Sequence, residues 1–162
     1  MLYNIDTVKK GMIKMKNTMI WFDMDGTIAD LYGVNGWLEM LISHDEKPYA
    51  IAPTLLNMSL LARTLNKLRK QGYKIGIISW LAKNSTPEYD ERVINAKKKW
   101  LNKHLKSIVF EAIEIVPYGT PKQNYLRSSE DILFDDEIGN RENWTGIAYD
   151  VHNIIEVLKN LT

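Results

Sequence analysis

Trp21-Phe22-Asp23-Met24-Asp25-Gly26-Thr27 joins the end of an apolar run to two aspartates and a glycine, and the predicted fold is built around it. The run from Met19 to Phe22 has the length of a buried strand. Side chains at positions i and i+2 of an extended strand share a face, so Asp23 and Asp25 can address one site. Two carboxylates at such a short distance repel each other and require a hard cation, a lysine or a shared proton.

A surface turn and a calcium loop are the alternative interpretations of these residues. Aspartate and glycine are common in turns, so the surface turn stays open. An EF-hand loop needs glycine at its sixth position and glutamate at its twelfth. Counted from Asp23, Gly26 is at the fourth position and Val34 at the twelfth, which excludes an EF-hand.

The composition is that of an ordinary globular protein. A length of 162 residues predicts a single domain over 1–162, and 45% hydrophobic with 25% charged residues argues against disorder. The formal net charge of +1 argues against a nucleic-acid coat or a polybasic membrane binder. The absence of cysteine excludes disulfides, thiolate metal sites and a cysteine nucleophile.

Neither a membrane span nor a signal peptide is predicted. No apolar run approaches the roughly 18 residues that a membrane span needs. Charged residues, among them Asp6, Lys9 and Lys10, interrupt the N-terminus. We therefore expect a cytoplasmic protein without membrane contact. Residues 1–17 carry little periodic signal and are expected to form an N-terminal extension.

Apolar runs and helical periodicities alternate along the chain. Strands are predicted over 18–23, 74–79, 112–116, 131–134 and 146–149. Helices are predicted over 34–43, from an N-cap at Thr54 to Lys70, over 88–105, and from a cap at Asp150 to about 160. Thr120-Pro121 resembles an N-cap followed by proline at the first helical position, which places Lys122 in a first turn.

The alternation of strands and helices predicts βαβ units and a mostly parallel sheet. Several polar residues follow these strands or begin the next helix, so they share the sheet edge at which ligands bind in open α/β folds. They are Asp23, Asp25, Ser79, Lys122, Asp135 and Asp136. Taken singly, each has a simpler explanation: Ser79 ends a strand, Lys122 is solvated, and Asp135-Asp136 forms a turn.

Together and in this order, these residues resemble the four motifs of the haloacid dehalogenase (HAD) superfamily of phosphohydrolases. The motifs are Asp23-Met24-Asp25-Gly26-Thr27, Ile77-Ile78-Ser79, Lys122 and Ile132-Leu133-Phe134-Asp135-Asp136. The details look most similar to the 5'(3')-deoxyribonucleotidase branch. The resemblance implies a three-layer α/β/α, Rossmann-like domain with a five-stranded sheet in the order 3-2-1-4-5.

The resemblance also implies a role for each residue. Asp23 would be the nucleophile that forms an aspartyl-phosphate, and Asp25 the general acid and base. Ser79 would donate a hydrogen bond to the phosphate, and Lys122 would neutralise the charge of the transferring group. The substrate would be surrounded by Met24, Gly26 and Thr27, and Met24 would contribute its backbone N–H.

A magnesium ion is the implied cofactor, because all its candidate ligands are oxygens. It would be held by Asp23, by the backbone carbonyl of Asp25, and by Asp135 and Asp136. Which member of the Asp135-Asp136 pair binds directly stays open. Trp80, next to Ser79, is a candidate for stacking on a base or sugar, with a core or rim tryptophan as the alternative.

The chain leaves no room for the cap domain that many relatives carry. A helical segment over 31–60 occupies the first cap position, so we expect an open site whose lid consists of the loops 33–35 and 83–87. The predicted function is a Mg²⁺-dependent phosphomonoester hydrolase for a small phosphorylated substrate, with a nucleotide as the first hypothesis and assembly into an oligomer left open.

Two alternatives stay open. A polynucleotide-end phosphatase is suggested by the open site and by the basic run Lys97-Lys98-Lys99, although such a run is usually a solvated face and nucleic acid is not the favoured partner. A binding or regulatory module with the same fold is the other. Arg141, beyond the acidic pair, is expected to form a salt bridge with Glu137 or Glu142.

Overall fold

A computed structural model of the chain describes residues 17–162. Within these residues the sheet consists of β1 (Met19–Phe22), β2 (Lys74–Trp80), β3 (Ala112–Val116), β4 (Ile132–Phe134) and β5 (Ile147–Tyr149). All neighbouring strands are parallel, in the order β3-β2-β1-β4-β5. The predicted strands and their order are confirmed. The expected N-terminal extension lies, apart from Asn17, outside the described residues.

Helices connect the strands, as the alternation predicted. They are α1 (Trp37–Ile42), α2 (Lys47–Ile51), α3 (Met58–Lys70), α4 (Pro87–His104), α5 (Ile138–Asn143) and α6 (Ile154–Leu161), with 3-10 turns at Leu31–Gly33 and Lys122–Tyr125. α4 begins with Thr86 as N-cap and Pro87 at its first position, an arrangement that proline favours. No helix in this part of the chain is both long and apolar enough to cross a membrane.

Side chains of the central strands alternate between two sides of the sheet. Ile20 and Phe22 of β1 face a core that α3, α4 and α6 cover, whereas Met19 and Trp21 face the other side. The helical residues in the first core are Leu61, Leu65, Leu68, Trp100, Leu101, Ile154 and Leu158. This period of two places the hydrophobic strands between two layers.

Shorter elements cover the opposite face of the sheet. Trp144, which follows α5, is buried against this face, with Tyr125 of the second 3-10 turn packed beside it. Gly76 of β2 allows the Trp21 ring to lie against the strand, because a Cβ at Gly76 would overlap that ring. Helical layers on both faces confirm the predicted three-layer α/β/α, Rossmann-like fold.

The start of α3 differs from the prediction. Thr54, predicted as its N-cap, lies in an antiparallel bridge with Ala29. Backbone pairing keeps this segment extended, so α3 begins only at Met58. Asn57 is the N-cap, and its side-chain oxygen accepts from the Leu60 N–H at 3.0 Å.

Other predicted helix ends are also wrong. The helix expected over 34–43 is reduced to α1, and Asp150 accepts from the His152 N–H in a turn ahead of α6, whose N-cap position is Asn153. Lys122 begins a 3-10 turn rather than an α-helix, and Pro121, predicted at the first helical position, takes the N-cap position. The unpredicted helices α2 and α5 have five and six residues, which is too short to show a periodicity.

The segment 31–60 contains α1, α2 and the start of α3 and packs on α4. Tyr49 of α2 is buried in a second apolar cluster with Tyr89 and Val93 of α4 and Leu81 after β2. This cluster lies beside the carboxyl end of β2. The segment 31–60 contains helices, and the expectation that it stands in place of a cap stays a prediction.

Asp131 connects three parts of the chain at the start of β4. Its side chain is fully buried. One oxygen accepts from the Met19 N–H at 3.0 Å, and the other accepts from the N–H groups of Arg127 and Ser128 at 2.8 and 3.1 Å. The carboxylate thus satisfies backbone groups that would otherwise be buried without a partner.

We expect Asp131→Ala to lower the free energy of unfolding by about 3 kcal/mol or more, since a hydrogen bond to a charged group contributes roughly 1.5–3 kcal/mol. Urea denaturation measures this change. Asp150→Ala is the matched control, because Asp150 is exposed and accepts from one N–H. A loss below about 1 kcal/mol for Asp131→Ala would contradict the assigned role.

Candidate active site

The carboxyl ends of β1, β2 and β4 bring the predicted site residues to one edge of the sheet. Asp23 directly follows β1, and its N–H donates to the Phe134 carbonyl of β4 at 2.9 Å. Asp135 directly follows β4, and its N–H donates to the Tyr149 carbonyl of β5 at 3.2 Å. The backbone ladder thus continues past the strand ends and fixes both aspartates against the sheet.

The turn after Asp23 is tight and places the Asp136 carboxylate close to its backbone. Gly26 has a φ of 80°, in the left-handed region that favours glycine. A Cβ at Gly26 would overlap the Asp136 carboxylate, so glycine is also required for space. The Met24 side chain is buried in the core, and only its backbone is left to face a substrate.

Lys122 lies between two of the aspartates. Its Nζ is 2.8 Å from Asp23 Oδ1 and 2.6 Å from Asp135 Oδ2, and its side chain is buried. Burial alone lowers the pKa of Lys122, but the two carboxylates and their hydrogen bonds outweigh it and raise the pKa above its ordinary value. Lys122 is therefore a buried lysine whose charged form is favoured beside Asp23.

Thr27 links Asp23 to Asp136. Its hydroxyl donates to Asp23 Oδ2 at 3.0 Å and lies 3.4 Å from Asp136 Oδ1. The hydroxyl, predicted to contact substrate, therefore contacts carboxylates here. Together Lys122 and Thr27 bind both oxygens of Asp23 and fix the orientation of that carboxylate.

Three carboxylates could hold a metal ion. Asp23, Asp135 and Asp136 each offer an oxygen, and these oxygens lie within 4.8 Å of one another. A set made only of carboxylate oxygens fits Mg²⁺, which prefers hard oxygen ligands. The Asp25 side chain lies outside this set, and the expected contribution of its backbone carbonyl stays a prediction.

The pKa values of Asp135 and Asp136 are raised in the absence of a bound cation. Burial and the negative charge of Asp23 raise the pKa of Asp136 to about 8. The same two causes raise the pKa of Asp135 to about 6, although Lys122 opposes them. A bound divalent cation would remove this repulsion, since an opposite charge favours the ionised carboxylate.

Residues of α5 support the acidic pair. The Glu137 N–H donates to Asp135 Oδ1 at 2.9 Å, and the Asn140 side chain donates to Asp135 Oδ2 at 3.1 Å. Arg141, expected to pair with a glutamate, donates instead to the backbone carbonyls of Asp135 and Asp136, both at 2.9 Å. Sequence reasoning missed Asn140, because the short helix that positions it carries no periodic signal.

Lys97 is the main site residue that the sequence prediction assigned wrongly. It was expected on a solvated basic face, but only 1% of its surface is exposed. Its Nζ donates to Asp25 Oδ2 at 2.7 Å, to Ser79 Oγ at 2.7 Å and to the Trp80 carbonyl at 2.8 Å. Ser79, predicted to bind phosphate, is itself fully buried and accepts from this ammonium.

A sequence signal for this burial exists in the spacing along α4. Lys97 follows the buried Val93 by four residues and precedes the buried Leu101 by four. Residues at these spacings share one face of a helix. The position of Lys97 is therefore on the apolar side, while Lys98 and Lys99 are exposed. Lys97 is therefore not part of the exposed basic patch that was predicted for Lys97-Lys98-Lys99.

Trp80 and Tyr118 form an aromatic wall beside the carboxylates. The Trp80 N–H donates to the Thr120 carbonyl at 2.9 Å, and its ring lies 4.9 Å from that of Tyr118. Both rings line the polar cleft that contains Asp23 and Asp136. Trp80 therefore lies at the rim of the site, and its predicted stacking on substrate stays a prediction.

Tyr118 also lines a second, mostly apolar hollow of about 330 Å³. The other walls of this hollow come from α1 and from the loop after β2: Leu38, Leu41, Ile42, His44, Ala82, Lys83 and Asn84. Lys83 Nζ lies 4.7 Å from the centre of the Tyr118 ring. Tyr118 is the residue that lines both the hollow and the polar cleft. An apolar space with one cation thus borders the carboxylates.

Comparison with known proteins identifies no family. No family model matches the chain, and no curated protein matches it. Among solved structures, D,D-heptose 1,7-bisphosphate phosphatase from Burkholderia thailandensis is similar, with a TM-score of 0.48 and 14% identity over 77% of this chain and 70% of that one. The resemblance to the HAD superfamily therefore rests on the motifs alone, and the deoxyribonucleotidase branch stays a prediction.

We expect Asp136→Asn to stabilise the metal-free protein at neutral pH, because burial and Asp23 raise the pKa of Asp136 and so disfavour its ionised form on folding, a cost that an amide does not have. The gain should be on the order of 1 kcal/mol, or about 2–4 °C in Tm for a chain of this size. Mg²⁺ should raise the Tm of the wild-type protein and leave that of Asp136→Asn nearly unchanged. Thermal denaturation with Mg²⁺ and with EDTA measures both effects.

Glu137→Gln is the control for this experiment, because Glu137 is exposed and lies outside the cluster. It should leave both the metal-free Tm and the response to Mg²⁺ as in the wild-type protein. An equal Mg²⁺ response in Asp136→Asn would contradict the assignment of Asp136 as a ligand.

Proposed function

We propose that the protein is a Mg²⁺-dependent phosphomonoester hydrolase that acts through an aspartyl-phosphate on Asp23. The observation that carries this proposal is the position of the Asp23 carboxylate, which Lys122 and Thr27 orient at the border of a three-carboxylate cluster. A phosphate monoester is a dianion, so a carboxylate can attack it only where positive charge is concentrated. The proposed site would provide that charge through Lys122 and through the cation that the three carboxylates would hold.

Asp23, Asp135 and Asp136 would hold the magnesium ion, with the Asp25 carbonyl as a further ligand. When bound, the ion supplies charge neutralisation for the phosphate and for the attacking carboxylate. Lys122 adds a second fixed positive charge next to Asp23 Oδ1. Asn140 and Arg141 keep the Asp135-Asp136 loop in place, so the ligands do not need to reorganise when phosphate enters.

The reaction proceeds in two steps. An oxygen of Asp23 attacks phosphorus while the bond from phosphorus to the leaving oxygen breaks, and Asp25 gives that oxygen a proton. Asp25 then takes a proton from water as the water attacks the aspartyl-phosphate, which releases inorganic phosphate and restores both carboxyl groups. Burial raises the pKa of Asp25, although the Lys97 ammonium opposes this, and a raised pKa suits a group that must carry a proton.

The apolar hollow next to Tyr118 supports a substrate with a flat, partly apolar leaving group, such as a mononucleotide. A volume of about 330 Å³ is at the lower end of the range for small-molecule sites, which runs from about 300 to 1,000 Å³. Tyr118 belongs to both the hollow and the cleft, and we infer that a phosphate held at Asp23 would direct its leaving group toward the hollow. Lys83 adds a donor at the same wall.

Asp23→Asn is expected to reduce phosphate release by about a thousandfold or more, because an amide cannot form the acyl-phosphate. Release is measured from mononucleotides, sugar phosphates and a phosphorylated oligonucleotide, with Mg²⁺ and with EDTA. Asp150→Asn, at an exposed turn, is the control and should retain full activity. Mg²⁺ binding without release from any substrate would favour a binding or regulatory module instead.

Tyr118→Ala is expected to raise KM for a mononucleotide by roughly tenfold, because a well-packed aromatic contact contributes about 1–3 kcal/mol. Its kcat should change little, since Tyr118 touches neither proposed reacting carboxylate. Glycerol phosphate, whose leaving group is too small to fill the hollow, serves as the control substrate and should show unchanged KM. Equal effects on both substrates would remove the hollow from the proposal.

A further inference from the structure

Lys97 is a buried ammonium in the candidate site for which the proposed chemistry has no use. A lysine ammonium has three N–H donors and no acceptor. In this structure three acceptors surround it at 2.7–2.8 Å: Asp25 Oδ2, Ser79 Oγ and the Trp80 carbonyl. All its donors are therefore occupied by the protein, and none is left for a phosphate.

The fourth side of the ammonium faces an aromatic ring. The Nζ atom of Lys97 lies 4.8 Å from the centre of the Tyr49 ring, a distance at which a cation is attracted to the ring face. Tyr49 belongs to α2 and is itself buried against α4. The segment 31–60 thus encloses the ammonium and excludes water from it.

The burial of this charge does not by itself favour stability. Transfer of an ammonium out of water is costly, and replacement of a buried ion pair by apolar residues is often neutral or stabilising. The neighbouring positions on the same face of α4, Val93, Ala96 and Leu101, are apolar. A methionine at position 97 would avoid the desolvation of the ammonium, but it would leave Asp25 Oδ2 and the Trp80 carbonyl without this donor, so the lysine is matched to these acceptors.

The hydrogen bonds of Lys97 also distinguish the two oxygens of Asp25. Oδ2 is bound to the ammonium, and the side chain is 14% exposed. Oδ1 makes no hydrogen bond within residues 17–162, so it is the oxygen available to a leaving group or a water. Ser79 accepts from Lys97, which leaves its own hydroxyl hydrogen free to be donated.

We propose that Lys97 is a positioning residue that holds the acid–base carboxylate Asp25 with Oδ1 toward the reacting phosphate and Oδ2 toward the protein interior. The inference builds on the proposed phosphohydrolase function. It predicts that Lys97 assists the step in which the leaving oxygen takes a proton, and that it contributes little to the binding of phosphate itself.

Lys97→Met, compared with the wild-type protein on two substrates, tests this assignment. An alkyl phosphate needs a proton on its leaving oxygen, whereas p-nitrophenol leaves readily as an anion. We expect kcat/KM for the alkyl phosphate to fall by about 10- to 100-fold, within the range that general acid catalysis contributes. For p-nitrophenyl phosphate it should fall less than about threefold, and the inhibition constant of inorganic phosphate should not change.

Lys98→Met is the matched control, because Lys98 is the exposed neighbour in the same basic run. It should leave all three quantities unchanged. Tyr49→Leu, which removes the ring over the ammonium, should reduce the alkyl-phosphate rate by a smaller factor. Equal losses on both substrates, or no loss on either, would overturn the assignment of Lys97 as a positioning residue for Asp25.

A measurement without turnover keeps the inference separate from the proposed function. In protein labelled with ¹⁵N at lysine Nζ, Lys97 should give an ammonium signal protected from water exchange, absent in Lys97→Met and shifted in Ser79→Ala. The inference is overturned if every protected ammonium signal of the wild-type protein is still present in Lys97→Met. An inactive wild-type protein that shows the signal would instead contradict the phosphohydrolase while supporting the contact between Lys97 and Asp25.

Discussion

Four aspartate carboxylates lie near one another where β1 and β4 end, and charges of one sign at such distances cannot all be present without a counter-charge. Two buried ammonium groups, which belong to separate elements, supply this counter-charge. Lys122 comes from the 3-10 turn after β3, and Lys97 comes from the middle of α4. Both elements must pack against the sheet before the carboxylates can be held, so the fold and the charge balance depend on each other.

The two lysines divide the acidic residues into two networks. Lys122 binds Asp23 and Asp135, and it joins the proposed nucleophile to the proposed metal ligands. Lys97 binds Asp25 and, through Ser79, the end of β2. The proposed roles of attacking phosphorus and of moving a proton need different surroundings. Asp23 and Asp25 have separate partners although they are only two positions apart in sequence.

Much of this architecture was predictable because its signals are local. The apolar run before Asp23 and the isoleucine-rich run within β2 predict buried strands. The polar residues that follow these strands are therefore predicted at one edge of the sheet. The start of α3 was not predictable, because the bridge between Thr54 and Ala29 joins segments distant in the chain. A tertiary contact of this kind overrides the local preference of threonine for an N-cap.

Lys97 shows the same limit within the candidate site. Three consecutive lysines indicate a solvated face, and the residue types alone do not show which of them the helix turns inward. The spacing of apolar residues along α4 indicates that position 97 faces inward. A lysine is tolerated there only because Asp25 and Ser79 accept hydrogen bonds from its ammonium. Asn140 and the carbonyl contacts of Arg141 likewise depend on α5, which is too short to be recognised from periodicity.

The bridge between Ala29 and Thr54 also bears on how this domain could acquire new parts. It closes residues 30–53 into a loop whose two ends are held together beside the aspartate turn. Inserted chain within such a loop adds closure entropy slowly, about 0.6 kcal/mol for each doubling of length, and leaves both ends in register. Ile42 and Ser43, at the end of α1, are exposed, so chain inserted there would leave the bridge and the positions of Asp23 and Asp25 unchanged.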